Sequence, residues 1–153
     1  MSSSHPGDEV VIQRLLELPP DFEQLVLASE REGLEFVRRL ELEWRSGQNR
    51  FARPGELLLG AGVGGRLEAV GGINRDHHLD DPRLGRLRHV YVLPQRRNTG
   101  VGSVLVRALL DAARMSFDRV RLRAATPQSD AFYARLGFQK LTGEANATHA
   151  LPL

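Results

Sequence analysis

The chain has 153 residues, 41% hydrophobic and 26% charged, a balance that favours one soluble globular domain with a single sizeable core. It contains no cysteine, which excludes a disulfide scaffold, a cysteine zinc site and a thiol nucleophile. The basic excess is only +2, Lys140 is the sole lysine, and the arginines are scattered among 6% aromatics, which argues against a nucleic-acid surface. No apolar run approaches the ~20 residues of a membrane span. The polar start Met1-Ser-Ser-Ser-His-Pro-Gly-Asp8 has no apolar signal core, so the expectation is a cytoplasmic protein with no membrane partner.

Residues 1–8 read as a disordered lead-in. Val10–Leu18 is strand-like and is stopped by Pro19-Pro20-Asp21. Asp21 is a candidate N-cap with Gln24 three residues on, opening a helix that carries Phe22, Leu25 and Val26 and fades near Gly33. A second helix follows with Phe36, Val37, Leu40 and Trp44 on one face, ending at Ser46-Gly47. Glu56–Gly62 and Arg66–Ile73 are two short strands, predicted to form a hairpin around Val63-Gly64-Gly65. Asn74–Gly85 is a polar loop, and Arg86–Leu93 is the next strand.

The stretch that follows carries the most information. Val90-Tyr-Val-Leu-Pro-Gln-Arg-Arg-Asn-Thr-Gly-Val-Gly-Ser103 reads as an apolar strand, a proline stop and a glycine-bearing turn. It opens a helix with Val101, Val104, Leu105, Ala108, Leu109 and Ala112 at helical spacing. Such a turn aims several backbone N–H groups at one point on the positive end of a helix dipole, which makes an anion cradle, most often for phosphate. Arg119–Ala124 is a further strand, Ser129–Leu136 a short helix ending at Gly137, and Phe138–Leu141 with Thr148–Leu151 a closing hairpin. The order β-α-α-β-β-β-α-β-α-β-β implies an α/β (α+β) fold: a mixed, mostly antiparallel central sheet flanked by helices on both faces.

Arg97-Asn-Thr-Gly-Val-Gly102 resembles the Arg-x-x-Gly-x-Gly signature of the GNAT superfamily, the acetyl-CoA-dependent N-acetyltransferases. Val90-x-Val92-x-Pro94 is similar to the strand that leads into that signature. Ala131-Phe-Tyr-Ala-Arg-Leu-Gly-Phe138 resembles the family's Tyr-x-x-x-Gly-Phe segment, in the right order and at the family's spacing. The likeness covers Arg86–Leu141 well and the N-terminal half by element order.

The resemblance implies acetyl-CoA as acyl donor. Its pyrophosphate would be held by Arg97, Asn98, Thr99, Gly100, Val101, Gly102 and Ser103, and its pantetheine arm would lie along Tyr91 and Val92. Gly100 and Gly102 let the backbone approach the phosphates with no Cβ in the way, and Arg97 adds a charge-assisted contact. Asn98 stands where glycine is common and tolerates the left-handed region better than most residues. Thr126 stands where many relatives have an asparagine that fixes the pantetheine. Tyr133 matches the tyrosine near the thioester sulfur and is the candidate general acid.

The general base is not apparent. Positions that carry it in some relatives correspond to Arg86 and Arg88, and arginine is no base at neutral pH. Strict alternation places both on one face with Val90 and Val92 unless a bulge intervenes, and turns His89 the other way. Arg86 and Arg88 would favour a small carboxylate-bearing amine as acceptor. His77 and His78, beside Asp76, Asp80 and Asp81, read as exposed loop residues, and no metal is expected. Direct attack of a primary amine in a ternary complex is the expected mechanism, with backbone donors of Val90–Val92 polarising the thioester carbonyl. A protein N-terminal or lysine acetyltransferase and a non-catalytic acyl-CoA-binding module remain alternatives. An open strand edge would suit a homodimer contact.

Overall fold

In the computed structural model, which describes residues 9–153, the chain runs β1 (Val10–Arg14), α1 (Phe22–Arg31), α2 (Phe36–Ser46), β2 (Leu57–Val63), β3 (Arg66–Arg75), β4 (Leu84–Val92), α3 (Val101–Ala113), β5 (Arg119–Leu122), α4 (Pro127–Arg135), β6 (Gln139–Lys140) and β7 (His149–Pro152). The expected lead-in, residues 1–8, lies outside the described residues. The seven strands form one sheet in the order β1-β2-β3-β4-β5-β7-β6. Only β4 and β5 run parallel; the remaining pairs are antiparallel. The predicted mixed sheet and element order are therefore observed.

Period-two alternation divides the apolar residues between two cores. Leu58, Leu67, Val70 and Tyr91 face α1 and α2, meeting Phe22, Leu25, Val26, Val37, Leu40 and Trp44. Their neighbours Leu59, Ala69 and Leu87 face the other way and pack with Leu105 and Leu109 of α3 and Val120 of β5.

Three sequence expectations need correction. The first strand ends at Arg14, and Leu15 turns into the α1/α2 core. Asp21 occupies the N-cap position of α1 but does not cap it with its side chain; its carboxylate accepts instead from the Leu67 N–H at 2.8 Å, tying the helix start to β3. The short helix begins at Pro127, not Ser129, because the Thr126 hydroxyl accepts from Ser129 N–H and Pro127 sits at N1, where a missing N–H costs nothing.

Candidate active site

The site starts from a fork in the sheet. β4 pairs with β5 only over Leu84–Arg86 against Arg119–Arg121. Beyond Arg86, β4 is held by β3 alone, so its β5-facing edge is bare. Tyr91 pairs with Val70, and Leu93 N–H donates to the Glu68 carbonyl. Alternation then turns the Val92 N–H and C=O to the bare edge. Of the two residues expected to flank the pantetheine, Val92 presents backbone there, whereas the Tyr91 backbone belongs to β3.

A β-bulge interrupts β4. Gly72 pairs with Arg88 but Val70 with Tyr91, and His89 carries the extra residue with φ 59°. The bulge overturns the strict alternation. Val90 and Val92 pack towards the α3 core, while Arg86 and Arg88 do not share that face. His89 is also corrected: its imidazole lies near Phe36 (ring centroids 6.4 Å) and Phe51 (6.3 Å) on the α2 side. Both of its nitrogens are sealed from solvent without a partner among the described residues. Burial, followed by the positive charge of Arg88, lowers its pKa to about 3, so the ring is neutral across the physiological range and is a weak base.

At the far end of β4 the chain makes a single turn at Pro94–Arg96, passes Asn98 at φ 62° and Gly100 at φ 91°, and enters α3. Asn98 thus adopts the left-handed conformation its residue type tolerates. The N–H groups of Gly100, Val101, Gly102 and Ser103 have no acceptor among the described residues; the ladder starts with Val104 N–H on the Gly100 carbonyl. A Cβ on Gly100 would meet nothing within 4 Å, so the requirement there is the backbone angle. One on Gly102 would come within 3.3 Å of Val92 and 3.4 Å of Phe132, so that glycine also serves close packing. The Val101 side chain is buried in the α3 core, and the Thr99 hydroxyl is spent on the Arg96 carbonyl. The cradle therefore offers backbone donors more than side chains.

Arg97 is engaged. It forms a two-pronged pair with Glu32 at 2.6 and 2.8 Å, donates from Nε to the Val92 carbonyl at 3.2 Å, and lies 5.5 Å from the Tyr91 ring centroid. Tyr91 donates its hydroxyl to the same Glu32 carboxylate. The Arg97 hydrogen bond is the main reason the Glu32 carboxyl lies below its ordinary pKa. No local pattern signals Glu32, which is 65 residues from its partner.

Arg86 and Arg88 have different surroundings. Arg86 is buried and pairs with Asp76 at 3.2 Å; Arg121 of β5 pairs with the same Asp76 oxygen at 3.2 Å. Burial alone would raise the Asp76 pKa, but the His78 N–H and the charges of Arg121 and Arg86 outweigh it and hold the carboxyl below its usual value. This sealed cluster bridges β4 and β5 at the last residues where they pair, immediately before the fork. Arg88 has no carboxylate partner among the described residues. It donates weakly to Asn74 Oδ1 at 3.4 Å and lines a cavity of about 320 Å³ with Glu43, Asn49 and His77. His77 and His78 are exposed, with ring centroids 3.9 Å apart and ring planes tilted by 38°. Among the described residues no group of three or more His, Asp or Glu could hold a metal.

Tyr133, on α4, packs edge-on against Phe132 and Phe138 with ring centroids at 5.0 and 5.5 Å. Its hydroxyl makes no hydrogen bond among the described residues, and burial raises its pKa. Thr126 spends its hydroxyl on the α4 cap, where asparagine would serve equally.

A sheet that forks beside a cradle of unpaired helix amides is the architecture of acyl-CoA N-acyltransferases. The model of the acetyltransferase (GNAT) family matches residues 16–138, and the chain belongs to that family, which makes it an acyltransferase. The crystal structure of an Exiguobacterium sp. 255-15 protein assigned as an acetyltransferase is 33% identical, with a TM-score of 0.83 over 94% of this chain and 93% of that one. A Streptococcus agalactiae 2603 acetyltransferase shares the fold at 18% identity and TM-score 0.76, over 97% and 100%. So does the Escherichia coli GNAT family N-acetyltransferase YhbS, solved in complex with CoA, at 18% identity and TM-score 0.71, over 99% and 85%. A sequence search of curated proteins gives no significant match. No helix among the described residues is long and apolar enough to cross a membrane.

Proposed function

We propose that this protein transfers the acetyl group of acetyl-CoA to the primary amine of a small carboxylate-bearing acceptor, by direct attack in a ternary complex. The observation that carries the reading is the bare edge of β4 running into four unpaired amides at the start of α3. An acyl pantetheine has amides for the edge, and its pyrophosphate suits the cradle. The CoA bound to the E. coli relative fits the same assignment.

Acetyl-CoA supplies an acetyl carbon activated as a thioester. Val92 and its neighbours on the bare edge orient it, and the amides of Gly100–Ser103 hold the phosphates. The Arg97 guanidinium, lying against the Val92 carbonyl, is within the same region and exchanges Glu32 for phosphate when the ligand arrives. Burial keeps Tyr133 protonated at every working pH, and its free hydroxyl donates to the departing sulfur. A free thiol has a pKa of about 8.5, so full transfer from a phenol of about 10 or above is uphill in water. Tyr133 therefore acts first as a hydrogen-bond donor to the developing thiolate, and transfer completes as the ammonium proton is lost. His89 is too weak a base for that proton, so the amine attacks as its free base, and the proton its nitrogen sheds after attack passes through water to replace the one Tyr133 gives to the sulfur.

Of the two arginines, Arg88 is the one available to an acceptor carboxylate, since Arg86 is spent on Asp76. The test is a panel of L-amino acids, the amines left by their decarboxylation and lysine-containing peptides. Wild type is expected to acetylate carboxylated acceptors at least tenfold faster, and Arg88→Met to erase that preference. Equal rates with and without the carboxylate remove the acceptor assignment; a preference for peptides favours protein acetylation.

A further inference from the structure

α4 carries the candidate acid yet has little apolar anchorage. Tyr133 is its only buried side chain. Its hydroxyl has no hydrogen bond of its own, so where that oxygen sits is decided by where the helix sits.

A polar chain holds the helix through His149, whose ring centroid lies 6.3 Å from that of Tyr133. Asp130, one turn before Tyr133, pairs through Oδ1 with His149 Nε2 at 2.6 Å. His149 is 1% exposed, on β7. Its Nδ1 lies 2.7 Å from Thr148 Oγ1, which in turn accepts the Ala124 N–H at 2.8 Å. Asp130 accepts from Nε2–H. Nδ1 either accepts the Thr148 hydroxyl or, when it too carries a hydrogen, donates to that oxygen while the hydroxyl turns to the Leu122 carbonyl at 3.5 Å; in both arrangements the Thr148 oxygen takes the Ala124 amide. Every member is satisfied, and the imidazole cannot rotate without breaking two bonds. Ala124 follows β5, at the rim of the fork, so the chain joins that rim to the helix bearing Tyr133. The remaining bond to Asp130, from Lys140 at 3.4 Å, is exposed and contributes little.

We infer that Asp130 and His149 are positioning residues for the reaction: they fix α4 so that the Tyr133 hydroxyl meets the thioester sulfur. This rests on the reading of Tyr133 as the acid. The position of a group that acts only in the transition state is worth an order of magnitude or more in rate, about tenfold for a small displacement.

The experiment follows CoA release with a thiol reagent, for which a chain without cysteine gives no background, using the fastest amine of the panel above. His149→Asn keeps an acceptor for Thr148 but cannot reach Asp130; His149→Gln keeps the donor to Asp130. Asp130→Ala breaks the same bond from a half-buried helical position where alanine is a good helix former, so it tests the bond without altering β7. The expected result is a kcat about tenfold lower for His149→Asn and Asp130→Ala, with KM for acetyl-CoA within twofold and His149→Gln nearer wild type. In a Tyr133→Phe background the same two substitutions should cost nothing further, which a merely structural role would not produce. Wild-type kcat in both variants, or a loss that persists without the Tyr133 hydroxyl, overturns the inference. An unchanged kcat for Tyr133→Phe alone removes the acid reading instead.

Discussion

At its N-terminal end β4 is paired on both edges, and its arginine, Arg86, is sealed against Asp76 and Arg121. At its C-terminal end one edge is bare, and the chain runs into a helix whose first amides have no acceptor. The strand is thus closed by charge pairs at its base, while at its tip the Val92 N–H and the first amides of α3 stay open. The separation matters because an unsatisfied buried polar group costs about 1–3 kcal/mol, whereas one at a cleft costs little and binds a ligand. The base holds the fork in place; the proposed chemistry falls at the tip and on α4. Arg86 and Arg88 repeat the contrast two residues apart, one locked in the base and one opening on a cavity.

The largest effect should come from breaking the base. Asp76→Asn leaves the buried Arg86 with no carboxylate and Arg121 with only the half-exposed Glu144 at 3.6 Å, and a urea titration at pH 7 should show a loss of about 3 kcal/mol. The Asp76 carboxyl is held below its ordinary pKa, so its contribution is complete above about pH 4 and is lost as pH falls through the lowered folded-state value. The gap between wild type and Asp76→Asn should therefore close in acid and stay open at neutral pH. A gap independent of pH contradicts the charged cluster.

Changes at the tip should alter chemistry and leave stability alone. Tyr133→Phe should lower kcat at least tenfold, about 1.4 kcal/mol, while acetyl-CoA binding stays within twofold. An unchanged kcat across pH rejects the acid role. The smallest effect belongs to Glu32→Gln. Its pair with Arg97 is partly exposed, at 29% and 42% for the two side chains, so stability should change by less than about 1 kcal/mol. Freed from Glu32, Arg97 should bind the pyrophosphate more tightly, and calorimetry should find acetyl-CoA affinity raised. Weaker binding would mean that the pair shapes the cradle.

The two ends of β4 also differ in how far the sequence reveals them. The tip is legible because its determinants are local. A proline stop, an asparagine in the left-handed region, two glycines and an amphipathic run all lie within a few residues. The base is not, because Asp76 meets Arg121 across 45 residues and Glu32 meets Arg97 across 65, and no short pattern encodes either pair. The bulge at His89 is intermediate. Nothing in Arg-Leu-Arg-His-Val-Tyr-Val marks the extra residue, although Gly71-Gly72 opposite it is a trace of the close approach. A Cβ on Gly72 would fall 2.4 Å from the Phe51 ring. Strict alternation failed at this residue, and with it the predicted faces of His89, Val90 and Val92. The Thr126-Pro127 start of α4 is a local N-cap and N1 signature, readable from the sequence.

The claim that the bare edge and the open amides take an acyl-CoA is tested most directly by a thermal-shift titration with acetyl-CoA, run against ATP and NAD. At 100 times its Kd a ligand stabilises the folded state by about 2.7 kcal/mol, a shift of several degrees for a chain of this size. A saturable shift with acetyl-CoA alone is the predicted result. No shift, or the same shift with ATP, would contradict the assignment of the cradle and of the activity built on it.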